Sequence, residues 1–125
     1  MRLKSQIDAS LAALNRRDFD ALMGLIDDDA ALDMPDGSRV IGADSIRNTL
    51  AAFVLGRDIR LSDIVVMTGE ADLRGAAEVT LSAVVKAEPG EDEPEKGRVS
   101  FPAIFVFERD DGPFQRISLF SATPL

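Results

Sequence analysis

The sequence predicts an α+β domain in which a curved antiparallel sheet wraps over three amino-terminal helices. Three observations predict it. Apolar residues in the amino-terminal part recur at helical spacing, interrupted by one short hairpin pattern. Beyond about residue 58 the pattern changes to long stretches of strand-like alternation. Several of those stretches are joined by connections of a few residues, which makes neighbouring strands antiparallel.

Leu3, Ile7, Leu11 and Leu14 are spaced four, four and three apart, a buried stripe on a helix that ends at Asn15, with Arg16 and Arg17 at its negative end. Asp18 is suited to cap a second helix whose inner face is Phe19, Leu22, Met23 and Ile26. Asp27, Asp28 and Asp29 then read as a solvated turn, because their spacing matches no calcium loop. A hairpin of Ala31–Met34 and Ser38–Ile41 is joined by Pro35-Asp36-Gly37. Gly42 ends the hairpin, Ala43 or Asp44 opens a third helix with Ile46, Leu50 and Phe53 or Val54 inward, and Gly56 stops it. Strands are expected over about 58–68, 73–86, 98–109 and 114–122, with Gly75 as a bulge or bend. Strands this long exceed the usual five or six residues and imply strong curvature. The segment Glu88–Gly97 is an acidic, solubilising hairpin loop.

Composition narrows the function. At 125 residues and 46% hydrophobic content, one domain with a substantial core is expected. The net charge of -8 argues against nucleic acid or an anionic membrane as partner. The chain contains no cysteine and no histidine, which removes disulfides, thiolate metal sites, the commonest metal ligand and the usual general base. No metal site and no cofactor is expected. The amino terminus has no long apolar run, so neither a signal peptide nor a membrane span is predicted, and a cytoplasmic location follows as the default.

The long strands carry a second message. Leu73, Ala77, Val79, Leu81, Ala83 and Val85 oppose Arg74, Glu78, Thr80, Ser82 and Lys86, a half-buried pattern. In the next strand both faces are apolar: Val99, Phe101, Ala103, Phe105 and Phe107 lie against Pro102, Ile104 and Val106. Three helices cover one face, so a homodimer through the other is the simplest cover.

Helix, helix, hairpin, helix and four long strands together resemble the cone-shaped α+β fold of the nuclear-transport-factor-2-like superfamily. The resemblance is sharpest with its ketosteroid isomerase-like and SnoaL-like branch, at Ala12-Ala13-Leu14-Asn15, Asp18-Phe19-Asp20, Leu25, Asp28-Asp29-Ala30 and Gly42. It implies a small apolar ligand and a catalytic aspartate on the short strand before the hairpin turn, nine residues ahead of the glycine that opens helix three. Asp33 occupies that spacing from Gly42. Ketosteroid isomerases also use a tyrosine and a neutral aspartic acid as oxyanion donors. Register on the Ala-Ala-Leu-Asn motif puts Ser10 at the first position, and register on Pro102 puts Ile104 at the second. Losing one such donor typically costs about 3 kcal/mol in the transition state, so losing both argues against efficient steroid isomerisation.

The expected site is therefore Asp33 as general base, with Ser10, Met23, Met34, Phe53, Ile104 and Val106 around a small apolar ligand. Placed beside Met34 and Ile104 in an apolar cavity, Asp33 should have a raised pKa. The alternative is an aspartate that accepts the backbone amides of Asp36 or Gly37, with a lowered pKa. Ser10 has its own alternative, a bond back into its helix. A cyclase-like or isomerase-like enzyme and a non-catalytic ligand-binding or dimerising domain both remain open at this point.

Overall fold

The computed structural model describes residues 1–86 and 95–123. Its order is α1 (Leu3–Asn15), α2 (Phe19–Met23), β1 (Ile26–Asp33), β2 (Arg39–Ile41), α3 (Ala43–Gly56), β3 (Arg60–Thr68), β4 (Arg74–Lys86), β5 (Glu95–Arg109) and β6 (Phe114–Ser121). The strands form one curved, unclosed sheet in the order β2-β1-β6-β5-β4-β3. Its ladders are antiparallel except β1–β6, which is parallel because the last strand returns alongside the first. The α+β class is as expected, with that one parallel ladder added.

α1 spans the predicted residues and buries Leu3, Ile7, Leu11 and Leu14 against one sheet face. α3 adds Ile46, Leu50 and Val54, and the sheet answers with Val79, Leu81, Phe101, Phe105, Phe107 and Leu119. Gly42 precedes α3 at φ 97°, a conformation that favours glycine, and its N–H donates to Ala30 O at 2.8 Å. Gly75 is no bulge: it pairs in register with Phe107 and Thr68. It lets α1 approach, since a Cβ there would stand 2.8 Å from Met67 O and 3.0 Å from Ile7 Cδ1.

Other boundaries move. Asp18 caps α2 as expected, accepting from Ala21 N at 3.0 Å, but the helix ends at Met23 and Ile26 begins a strand. Asp27, Asp28 and Asp29 lie within β1 rather than in a turn. Ile26 and Ala30 at either end of the run point into the core, and a register shift against β6 lies between Ile26 and Ala31. Burial of those two flanking residues outweighs the weak strand propensity of aspartate. Leu73, expected on the buried face, precedes β4 and is exposed. Residues 88–94 of the expected acidic loop lie outside the described residues, and β5 has already begun at Glu95.

Candidate ligand site

A strand turns alternate side chains to opposite faces, and in β1 this decides the fate of the expected base. Leu32 is fully buried beneath the helices, and Met34, two residues on, packs against the same core. Asp33 therefore points to the face the helices leave open. There the ladders align a row across the sheet: Met67, Ala76, Val106, Ser118, Asp33 and Arg39.

The partners of Asp33 follow from that row. Arg39 Nε donates to Oδ1 at 2.6 Å and Nη2 to Oδ2 at 3.0 Å, while the Ser118 hydroxyl donates to Oδ2 at 3.0 Å. Arg116 Nε adds a positive charge at 3.7 Å. The Arg39 hydrogen bonds, with help from Ser118 and the two guanidinium charges, outweigh partial burial and hold the carboxyl below its usual range. The expectation of an apolar setting and a raised pKa is corrected on both counts. The alternative bond to the turn amides is also not the one formed. Asp36 ties the turn instead, accepting from Ser38 N at 2.9 Å and Ser38 Oγ at 2.6 Å.

Arg116 also lies 3.0 Å from Glu108 Oε2, but off the line of its N–H, so Nε is buried without a hydrogen-bond partner among the described residues. The contact is ionic only.

Ile104 and Val106 share the open face with Asp33, since the inward members of β5 are Phe101, Ala103, Phe105 and Phe107. Their expected place in the ligand cavity is corrected for the same reason of alternation. Ile104 instead borders a shallow depression of about 400 Å³ with Pro102, Phe120 and Ala122. Ser10 is buried in α1, and its hydroxyl donates to Gln6 O at 2.8 Å, the local bond that serine forms within helices. Met23 packs against the core and lines neither recess described below.

Under the helices the structure does bring two expected residues together. Met34 and Phe53, with Pro35, Asp36, Ser38 and Thr49, line a recess of about 200 Å³ between the hairpin turn and α3. Phe53 is also part of the wall of a second, inner recess formed by Leu14, Asn15, Leu50, Val54, Ile59, Leu61 and Phe105. About 10 Å³ is left inside it, the lower limit for a single water. Asn15 brings no unmet polar group, because its amide exchanges bonds of 2.9 and 2.8 Å with the backbone of Leu61. Thr49 was not foreseen, although its helical i, i+4 spacing to Phe53 is legible.

Catalytic equipment beneath the helices is sparse. The buried polar residues of the described chain are Gln6, Ser10 and Ser118, and Ser118 is on the open face with Asp33. Asp36 at the mouth is exposed and held below the usual carboxylate range by its bonds to Ser38, which weakens it as a base. Among the described residues no cluster of three metal-ligating side chains occurs.

A model of the SnoaL-like domain matches residues 7–117. The chain belongs to the SnoaL-like domain family. Solved structures agree. A protein of Xanthomonas campestris pv. campestris, provisionally named a polyketide cyclase, is similar at 26% identity and TM-score 0.84, over 95% of this chain and 89% of that one. Another provisionally named polyketide cyclase, from Pseudomonas putida KT2440, is similar at 26% identity and TM-score 0.81, over 96% and 91%. A provisionally named ketosteroid isomerase from Kribbella flavida DSM 17836 shares the fold at 15% identity and TM-score 0.74, over 98% of this chain and 79% of that one. No curated protein matches the chain. This SnoaL-like domain thus has the expected superfamily fold, and its helix-covered interior is filled largely by side chains. Among the described residues no helix is long and apolar enough to cross a membrane.

Proposed function

We propose that this SnoaL-like domain binds a small apolar molecule at the mouth between the hairpin turn and α3, without transforming it. The observation that carries the reading is the direction of Asp33. The carboxylate expected as base is on the opposite face of the sheet, ion-paired to Arg39 and bonded to Ser118. Met34, Thr49 and Phe53 offer a mostly apolar mouth, and Phe53 stands between it and the nearly closed inner recess. A ligand of one or two rings gains apolar contact there and displaces Phe53 sideways.

Methionine provides the test, because its residues report separate regions: Met34 the mouth, Met67 the open face and Met23 the core. Titrating protein labelled at the methionine methyls with indole should shift Met34 saturably and leave Met67 still. Movement of Met67 alone, or of neither, refutes the site. Turnover abolished by Asp33→Asn in a variant that stays folded would refute the non-catalytic part of the reading.

A second reading is supported by the open face and is compatible with the first. Val65, Met67, Ile104 and Phe120 are 55, 48, 41 and 58% exposed there. Such clustering of large apolar groups suits burial against a second copy, and a two-fold pair would close the face without an open edge to further copies. Light scattering should give twice the mass of the 13.5 kDa chain. Phe120→Asp should halve it. A wild-type monomer at micromolar concentration refutes the pairing.

A further inference from the structure

A dense charge cluster lies away from the mouth, around Asp58 in the turn between α3 and β3. Arg17 Nη2 donates to its Oδ1 at 2.8 Å, and Arg60 Nη2 to Oδ2 at 3.1 Å. Arg98 reaches across β4, with Nη2 2.5 Å from Oδ2 and Nη1 2.9 Å from both Asp58 O and Ser82 Oγ. Arg57, next in the chain, is anchored alongside by its Nε bond to Val84 O at 2.8 Å. Three guanidiniums thus gather at one carboxylate, with Arg57 alongside, within a chain whose net charge is -8. Two of the residues involved are in the left-handed region, Arg17 at φ 64° and Asp58 at φ 45°, where a side chain costs about 1–2 kcal/mol.

Bonds inside the cluster tie the α1–α2 turn to the α3–β3 turn, and they use most of what Arg17 and Arg98 can donate. They use little of Arg60. Its side chain is 65% exposed and, among the described residues, commits one hydrogen bond, to Asp58. A guanidinium has five N–H groups in a planar fork that matches the oxygens of an oxyanion. Among the described residues this point carries an excess of positive charge on an otherwise acidic protein, which draws small anions by their charge alone.

We infer that the Arg17–Arg57–Arg60–Arg98 cluster is an anion site that takes the phosphate group of a small ligand, with Arg60 as its outward-facing donor. A phosphate presents three acceptor oxygens and accepts from several guanidiniums at once, whereas the one carboxylate present among the described residues leaves their positive charge in excess. The site is separate from the mouth and stands whether or not an apolar ligand binds there.

Inorganic phosphate is the probe. The arginine Nε–H resonances are followed by NMR during titration with phosphate, at ionic strength held constant with chloride. Saturable shifts are expected at Arg60 and Arg98, and Arg60→Gln should weaken the binding about tenfold while leaving the backbone spectrum that of a folded protein. Arg98→Lys, which keeps the charge and removes the fork, should weaken it as well. Linear shifts, equal shifts with chloride, or undiminished affinity in Arg60→Gln overturn the inference. So does a hexaglutamate peptide that moves the same resonances at lower concentration than phosphate, since that marks a surface for an acidic protein.

Discussion

Asp33→Asn removes one charge and changes almost no volume. Under the isomerase-like expectation it would leave stability intact, because a base in an apolar cavity holds little together. The structure demands the opposite. An amide replaces one acceptor oxygen by a donor, so it cannot accept from both ends of the Arg39 fork, at 2.6 and 3.0 Å, and also from Ser118 at 3.0 Å. The Arg39 side chain is 51% exposed, so that pair contributes little to stability. Ser118 is 1% exposed, and its hydroxyl bond to a charged acceptor contributes roughly 1.5–3 kcal/mol. The variant should be about 2 kcal/mol less stable at neutral pH, with a melting temperature lower by about 7 °C. Urea unfolding at several pH values checks both size and sign. Asp33 is held below the ordinary value of 3.8, so the folded state binds its proton less readily than the unfolded chain. Its contribution is complete above that value and is lost as pH falls through the lower folded pKa. The gap between wild type and variant should be constant above about pH 5 and close in acid. Equal urea midpoints at neutral pH, or a gap that persists undiminished in acid, would refute the pairing.

Gly75→Ala should destabilise the fold by about 2 kcal/mol in denaturant, since the added methyl meets a backbone oxygen at 2.8 Å as well as Ile7 and Leu3 side chains at 3.0 and 3.1 Å. An unchanged midpoint would mean that α1 is not seated there. Phe53→Ala should cost about 2 kcal/mol, less than a fully buried phenylalanine, and should join the mouth to the inner recess. Indole affinity, read by the Met34 methyl, should rise about tenfold as the obstructing ring is removed. A loss of affinity instead would make the Phe53 ring itself part of the binding surface.

Local periodicity was enough to place the elements. α1 appears at its predicted bounds because four apolar residues at helical spacing can share a face in no other regular structure. Asp18 caps α2, Gly42 opens α3, and the long alternating stretches are strands, each from chemistry within a few residues. The superfamily fold was legible on the same grounds. Which side of the sheet Asp33, Ile104 and Val106 face was not, and tertiary structure decided it. A strand inverts its faces every residue, so motif spacing to Gly42 puts Asp33 on the correct strand yet says nothing of its side. Burial of Leu32 and packing of Met34 turn Asp33 outward, and the β6 register supplies Ser118 and Arg116 to receive it. Ile104 and Val106 follow the same logic in β5, where the phenylalanines take the core. The Asp58 cluster gathers residues from two turns and two strands, at separations up to about eighty residues, so no local pattern announces it. Local chemistry chooses the elements, and the competition among apolar side chains for one enclosed face chooses which charges are left outside.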